Sequence, residues 1–231
     1  FVGTIGDIGV FSLNVNKTIQ AGEGGICVTN NEELAYRIQL IRNHGEAVVD
    51  GANYENITNI AGFNYRLTEL QAAITREQLK KLNTFNTTRI DFVNYMIDGL
   101  QNFAYLEPLE SRNECHSTYY TFPMRFNEKI AGVHRDVFLE AVNSEGALYS
   151  GGYVKPLYHQ AIYQRKMLYK NGYPFSAAEN SECNMDYRKG LCPIAEKLHF
   201  SEMIISEHVR MPNTISDIED LLSIFRKMEK N

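Results

Sequence analysis

Residues 8–13 (IGVFSL) and 24–29 (GGICVT) are short apolar runs rich in β-leaning side chains, and they flank a more polar stretch containing Lys17. The pattern predicts two strands with Lys17 at a strand end. Asn30 and Asn31 can then cap a helix whose apolar positions Leu34, Ile38 and Ile41 follow helical spacing, with Gly45 as its stop. Residues 46–62 (EAVVDGANYENITNIAG) lack periodicity and read as a loop. Thr68 and Gln71 form a capping-box pattern, opening a helix that runs through ELQAAITREQLKKL toward Leu82. A second long helix, from about Thr87, carries Ile90, Val93, Ile97 and Leu100 on one stripe. Two long helices in succession suit a connection between domains.

The pattern changes after residue 104. STYYTFPMRF reads as a strand, VHRDVFLEAVNSEG as a helix with a glycine stop, and ALYSGGYVKPLY as extended chain. Residues 158–200 are rich in Tyr, Gly, Asn and Pro with weak periodicity, which predicts chain wandering over the surface. The last helix is expected to open on a Ser216–Glu219 capping box and to bury Ile218, Leu221, Leu222 and Phe225. This second part is an α+β module, distinct from the first.

Composition narrows the function classes. At 231 residues and 44% hydrophobic, the chain has material for one large or two modest domains. A net charge of −5 with no Lys/Arg-rich run argues against nucleic acid as a partner. Apolar stretches fall short of the roughly 18 residues a membrane span needs, and no signal-peptide pattern is present, so a cytoplasmic protein is expected. Cys27, Cys115, Cys183 and Cys192 form no CxxC pair and are expected as buried thiols. The six histidines form no HxH or HxxxH pair, so no metal site is expected.

A lysine that does covalent chemistry must lose its proton, through partial desolvation or a nearby cation. Glycines at 22, 24 and 25 let a bulky cofactor approach Lys17, and Ser12 offers a hydroxyl for a phosphate. On composition alone a solvated surface charge is the commoner reading of a loop lysine.

The full string Gly6, Asp7, Phe11, Ser12, Leu13, Lys17, Gly22, Glu23, Gly24, Gly25 resembles the pyridoxal-phosphate site of the DegT/DnrJ/EryC1/StrS family of sugar aminotransferases. Only Leu13 departs from its aromatic position. LIRNHGE (40–46) is similar to the family's R-x-H-G segment, and GFNYRLTELQAAITREQLKKL (62–82) to its G-Y-N-Y-R-M-T-x-x-Q-A-A segment. GYVKPLYHQAIYQ (152–164) is similar to its later Y-x-P-L segment, and the likeness fades after about residue 165.

The resemblance implies an α/β protein of fold type I, the aspartate-aminotransferase-like architecture of pyridoxal-phosphate-dependent transferases. Residues 1–88 would be the later part of the large domain and 89–231 a small α+β C-terminal domain. It implies that Lys17 holds pyridoxal 5'-phosphate as a Schiff base and shuttles a proton, and that Ser12 binds the phosphate. Asn64 would reach the phosphate of a neighbouring subunit, in a homodimer with shared active sites. His44, Arg66, Lys155, Tyr158 and His159 are candidates for the substrate side; His44 also reads as a helix-end cap or surface group, and Arg66 as structural. Tyr149, Tyr153, Tyr163, Tyr169 and Tyr173 read as core and interface more than as sugar-stacking rings.

The implied reaction transfers an amino group from glutamate or glutamine to a keto-sugar, nucleotide-linked, or to a keto-cyclitol. A sugar dehydratase of the same family is an alternative, but those members carry histidine in place of the lysine. A non-catalytic remnant or interaction module is the other. The chain opens FVGTIGDIGVFSL without a Met and reads as the interior of a longer protein. The family's pyridinium-pairing aspartate, ring-stacking group and phosphate turn lie upstream of this start. The isolated 231 residues are therefore expected to be catalytically incomplete.

Overall fold

The computed structural model describes residues 1–45, 61–109, 111–183 and 185–229. The predicted loop at 46–62 therefore lies almost wholly outside the described residues. The chain divides into two compact units, 1–85 and 86–231.

In the first unit, strands β1 (Gly9–Ser12) and β2 (Gly25–Val28) pair antiparallel with Gly9 opposite Val28 and Ser12 opposite Gly25. Helix α1 (Glu32–Arg42) starts where the sequence predicts: Asn31 Oδ1 accepts the Leu34 N–H at 3.1 Å. It ends on Gly45, whose φ of 74° is a left-handed stop and whose N–H reaches the Leu40 carbonyl at 2.7 Å. Helix α2 (Glu69–Leu79) opens on the Thr68–Gln71 capping box. It stops short of the expected Leu82, with Lys80 as C-cap, and α3 (Leu82–Leu100) begins there instead of at Thr87. The boundary between the two units falls inside α3.

The second unit is built on an antiparallel sheet in the order β3 (Leu106–Pro108), β4 (Phe122–Phe126), β6 (Met203–Ser206), β5 (Tyr149–Gly151). Alternation along β4 buries Phe122, Met124 and Phe126 and leaves Arg125 exposed, so one face of the sheet meets the core. That face packs against α3, α5 (Arg135–Ser144) and α8 (Ile215–Met228) through Val93, Met96, Phe138, Val142, Ile218 and Phe225. The Phe138 ring stacks on Phe126 at 4.9 Å and on Phe225 at 5.9 Å. Short helices α4 (Glu128–Ala131), α6 (Ala161–Gln164) and α7 (Pro193–Lys197) fill the connections.

Two sequence expectations need correction. The last helix opens on Thr214, whose backbone N–H and hydroxyl both donate to Asp217 Oδ2 at 2.7 Å, and not on Ser216 with Glu219. Glu219 is engaged by Tyr95 and Arg226 instead. All four cysteines are exposed. Cys27 sits on a two-stranded ribbon and the others in irregular chain, where no second layer covers them. Among the described residues no helix is long and apolar enough to cross a membrane. No group of three or more His, Cys, Asp and Glu side chains there is placed to hold a metal ion.

Candidate functional site

Lys17 lies on the loop that joins β1 to β2. Beyond the regular ladder the hairpin continues through Leu13 N–H to the Gly24 carbonyl (2.9 Å) and Val15 N–H to the Gly22 carbonyl (2.7 Å). Within the loop, Lys17 N–H donates to the Asn14 carbonyl and Ala21 N–H to the Leu13 carbonyl, each at 2.9 Å. Asn14 braces the other side of the turn, its Nδ2 donating to Glu23 Oε1 at 2.8 Å. Lys17 is half-buried, on a loop braced by its backbone. Gly24 has a φ of 140°, and a Cβ there would come within 2.8 Å of Leu67 Cδ1, so only glycine fits the turn beneath the GFNYRL segment. Ser12 is exposed, and its Oγ accepts the Asn14 N–H at 3.2 Å, a bond that does not use the hydroxyl proton.

Gln71 ties the lysine hairpin to α2. Its Oε1 accepts from the Thr68 N–H and hydroxyl, completing the cap, while its Nε2 donates to the Glu23 carbonyl at 2.9 Å. One amide therefore joins two segments 48 positions apart in sequence. The cap was legible from spacing; this second bond was not.

His44, Asn64 and Arg66 are brought together by a short antiparallel pairing. Phe63 N–H donates to the Ile41 carbonyl, His44 N–H to the Phe63 carbonyl and Tyr65 N–H to the Arg42 carbonyl, at 2.8–3.0 Å. Gly62 is forced at the end of this pairing, since a Cβ there would sit 1.8 Å from the Gly45 nitrogen. Arg66 Nε donates to Asn64 Oδ1 at 3.0 Å, and Arg66 Nη2 lies 3.4 Å from His44 Nε2. His44 is also a backbone outlier, with a φ of 64°.

The first unit carries a groove of about 1290 Å³ beside β2 and α1, lined by Glu23, Ile26, Ile38, Arg42 and Tyr65 among others. Lys17 and Ser12 do not line it, so this groove is not the lysine site.

Lys155, Tyr158 and His159 belong to the second unit. There the Tyr158 hydroxyl, His159 Nε2 (3.0 Å) and Gly190 N–H (2.7 Å) all converge on one oxygen, Glu196 Oε1. The Tyr158 and His159 bonds, then the Gly190 N–H, hold the Glu196 carboxyl down to about 2. Cys192 N–H donates back to the Tyr158 oxygen at 3.2 Å. His199 lies beside this cluster. Burial pushes its pKa down, aided by the charges of Arg135, Lys155 and His159. Glu196 escaped the sequence reading because a glutamate in a helix's first turn after a proline is generic, and its burial depends on residues far away in sequence.

The donor set fits pyridoxal phosphate: a half-buried primary amine, a hydroxyl whose proton is not used in its bond from Asn14, and a turn whose Gly22 and Gly24 take positive φ.

L-glutamine:2-deoxy-scyllo-inosose aminotransferase of Streptoalloteichus tenebrarius is 28% identical over 98% of the chain, which spans 54% of that relative. The chain thus covers about half the length of the curated relatives it matches. Helicobacter pylori PseC, an aminotransferase of pseudoaminic acid biosynthesis, superposes with a TM-score of 0.73 at 24% identity, over all of this chain and 55% of that one. GDP-4-keto-6-deoxy-D-mannose-3-dehydratase of E. coli, solved with hydrated pyridoxal phosphate, superposes at 0.70 and 22% identity, over 97% and 55%. These neighbours establish the fold as type I of the pyridoxal-phosphate-dependent enzymes, as the sequence motifs imply. The DegT/DnrJ/EryC1/StrS aminotransferase family, whose cofactor is pyridoxal phosphate, matches residues 1–191, and the chain belongs to it.

Proposed function

We propose that the protein is a pyridoxal-phosphate aminotransferase that moves an amino group from glutamine or glutamate to a keto-cyclitol or keto-sugar. The observation that supports it most is Lys17, held half-buried on a braced loop between Ser12 and the Gly22–Gly25 turn. Lys17 Nζ would hold the cofactor covalently, and the same amine would move a proton at the reacting carbon. The Ser12 hydroxyl would donate to the cofactor phosphate. When bound, the cofactor supplies an electron sink for that carbon. Arg66, which spends two of its five N–H donors on Asn64 and His44 in a loop exposed to solvent, offers the rest to an anionic group of a substrate. In this reading two copies pair, and Asn64 would reach the phosphate held by the other copy.

A keto-cyclitol or keto-sugar acceptor is supported by the relatives named for deoxy-scyllo-inosose and by the sugar-modifying neighbours. Lysine at position 17 favours transamination over dehydration.

The protein as its gene encodes it should absorb in the near-visible with pyridoxal phosphate. Borohydride should leave a pyridoxyl group on the Lys17 peptide, and Lys17→Ala should abolish both. A reduced protein with Lys17 unmodified would refute this reading. With isotopically labelled glutamine and a keto-cyclitol, the label should appear in an amino product; a deoxy-keto product would assign the dehydratase reaction.

A further inference from the structure

An arginine side chain can only donate hydrogen bonds, so the long bond between Arg66 Nη2 and His44 Nε2, at 3.4 Å, has a single polarity. His44 Nε2 carries a lone pair. An imidazolium has no lone pair on either nitrogen, and the Nε2–H tautomer has it on the other one. The bond therefore selects the neutral His44 ring with its proton on Nδ1. Asn64 is oriented by the same rule: its Oδ1 accepts from Arg66 Nε at 3.0 Å, which leaves both Nδ2 protons unspent by this bond.

The backbone gives these two acceptors little freedom. His44 N–H donates to the Phe63 carbonyl at 2.9 Å, Asn43 and Asn64 pair as an antiparallel bridge, and the Phe63 and Tyr65 rings stack at 5.1 Å. His44 keeps its φ of 64°, a sparsely occupied conformation that persists only where the surroundings over-determine it. Gly62 backs it closely, since a Cβ there would stand 1.9 Å from the His44 carbonyl carbon.

Three donors of Arg66 remain, two on Nη1 and one on Nη2, and among the described residues nothing accepts from them. The side chain is exposed and lines the groove beside β2 and α1, as Arg42 does, so an anion can reach it. All of these residues lie in the first unit. An unrestrained arginine gives up rotamer freedom when it binds an anion; one already held at Nε and Nη2 has less to lose.

We propose that His44, as its Nδ1–H tautomer, is a positioning residue that together with Asn64 holds the Arg66 guanidinium ready for the oxygens of an oxyanion, a carboxylate or a phosphate. The proposal rests on the aminotransferase reading for the source of that anion: the carboxylate of the amino donor or the phosphate of the cofactor. The direction of the hydrogen bonds is independent of that reading.

Asparagine and glutamine at position 44 give a matched pair. Asparagine is at ease in a left-handed backbone, but its amide reaches only as far as the histidine's Nδ1, whereas the glutamine amide reaches about as far as Nε2. In the protein as its gene encodes it, His44→Asn should weaken the affinity for glutamine or for pyridoxal phosphate about fivefold, with kcat changed less than about twofold. His44→Gln should recover most of the loss. Arg66→Gln should cost more, and adding His44→Asn to it should cost nothing further, because the group that His44 positions is gone. Nitrogen-15 spectra of the parent in mildly alkaline buffer should show His44 protonated on Nδ1. A loss confined to glutamine assigns the carboxylate and one confined to pyridoxal phosphate assigns the phosphate; both support the proposal. An Nε2–H ring in the parent, unchanged affinity for both ligands in a folded His44→Asn, or the same loss with and without Arg66 overturns it. If the parent transfers no amino group, the aminotransferase reading fails, while the spectra and titrations with inorganic phosphate still decide whether His44 serves Arg66.

Discussion

Arg135 is a buried cation with almost every donor spent. Its side chain is 6% exposed, and Nη1 donates to the His199 carbonyl at 2.8 Å and the Met203 carbonyl at 3.3 Å. Nη2 donates to the Phe200 carbonyl at 3.1 Å, and Nε and Nη2 both reach Asp136 Oδ1. The carbonyls belong to the wide π-helical turn at 198–202, whose end leaves such groups unpaired, and to the start of β6. Removing the guanidinium strands the His199 and Phe200 carbonyls, while the Met203 carbonyl keeps the Gly152 N–H at 2.8 Å; most surface charges, by contrast, can be lost at little cost. Arg135→Met should therefore destabilise the protein by about 3 kcal/mol, seen as a lower urea midpoint with an unchanged m-value. Arg135→Lys should recover less than half of this, because a point ammonium cannot fork across several carbonyls. A methionine variant with the parent's midpoint would show that those carbonyls find other partners.

Helix α2 is the element on which the lysine hairpin leans, and Gln71 is the point of contact. Gln71→Ala removes both the reciprocal half of the cap and the bond to the Glu23 carbonyl, at about 1 kcal/mol each. Gln71→Glu keeps an acceptor for Thr68 but has no N–H for Glu23. Both variants should bind pyridoxal phosphate more weakly in an absorbance titration, while only the alanine variant loses helix stability. Equal affinity in all three proteins would mean the brace does not shape the Lys17 loop. These elements differ in how far the sequence discloses them. The hairpin strands, the Asn31 and Thr68 caps and the buried stripe of α8 were legible because each signal is local, completed within one strand or one helical turn. The start of α8 was misplaced because Thr214–Asp217 and Ser216–Glu219 both satisfy the capping spacing; the far partners Tyr95 and Arg226 draw Glu219 away. Lys17 and Ser12 stood out through an ordered motif, and His44, Asn64 and Arg66 do meet in space. Glu196 gave no such signal, since its partners lie 6 to 38 positions away and only folding assembles them.

At the scale of the whole molecule, acid should unfold the second unit in two stages. His208 accepts the Leu148 N–H at 3.0 Å through Nε2, which requires the neutral ring, and packs edge-on to Tyr149. Burial lowers its pKa, with the Arg210 charge adding to that and the Leu148 bond and Glu207 opposing it. His199 is lowered in the same direction. For both rings the unfolded chain binds the proton more readily than the folded one. Stability therefore begins to fall once pH drops below the ordinary histidine value of about 6.5, and is regained as pH rises back through it. Glu196, held down to about 2, acts in a lower window. Its contribution is complete above the unfolded carboxylate value of about 4.3 and fades as pH falls toward the folded one. Urea midpoints measured from pH 8 to 3 should thus decline first below about 6.5 and again below about 4.3. His208→Gln can still accept the Leu148 N–H through its amide oxygen but does not titrate. It should flatten the first decline, leave the second in place, and bring the edge of β5 through mild acid intact. A first decline as steep in His208→Gln as in the parent would assign that loss to His199 alone.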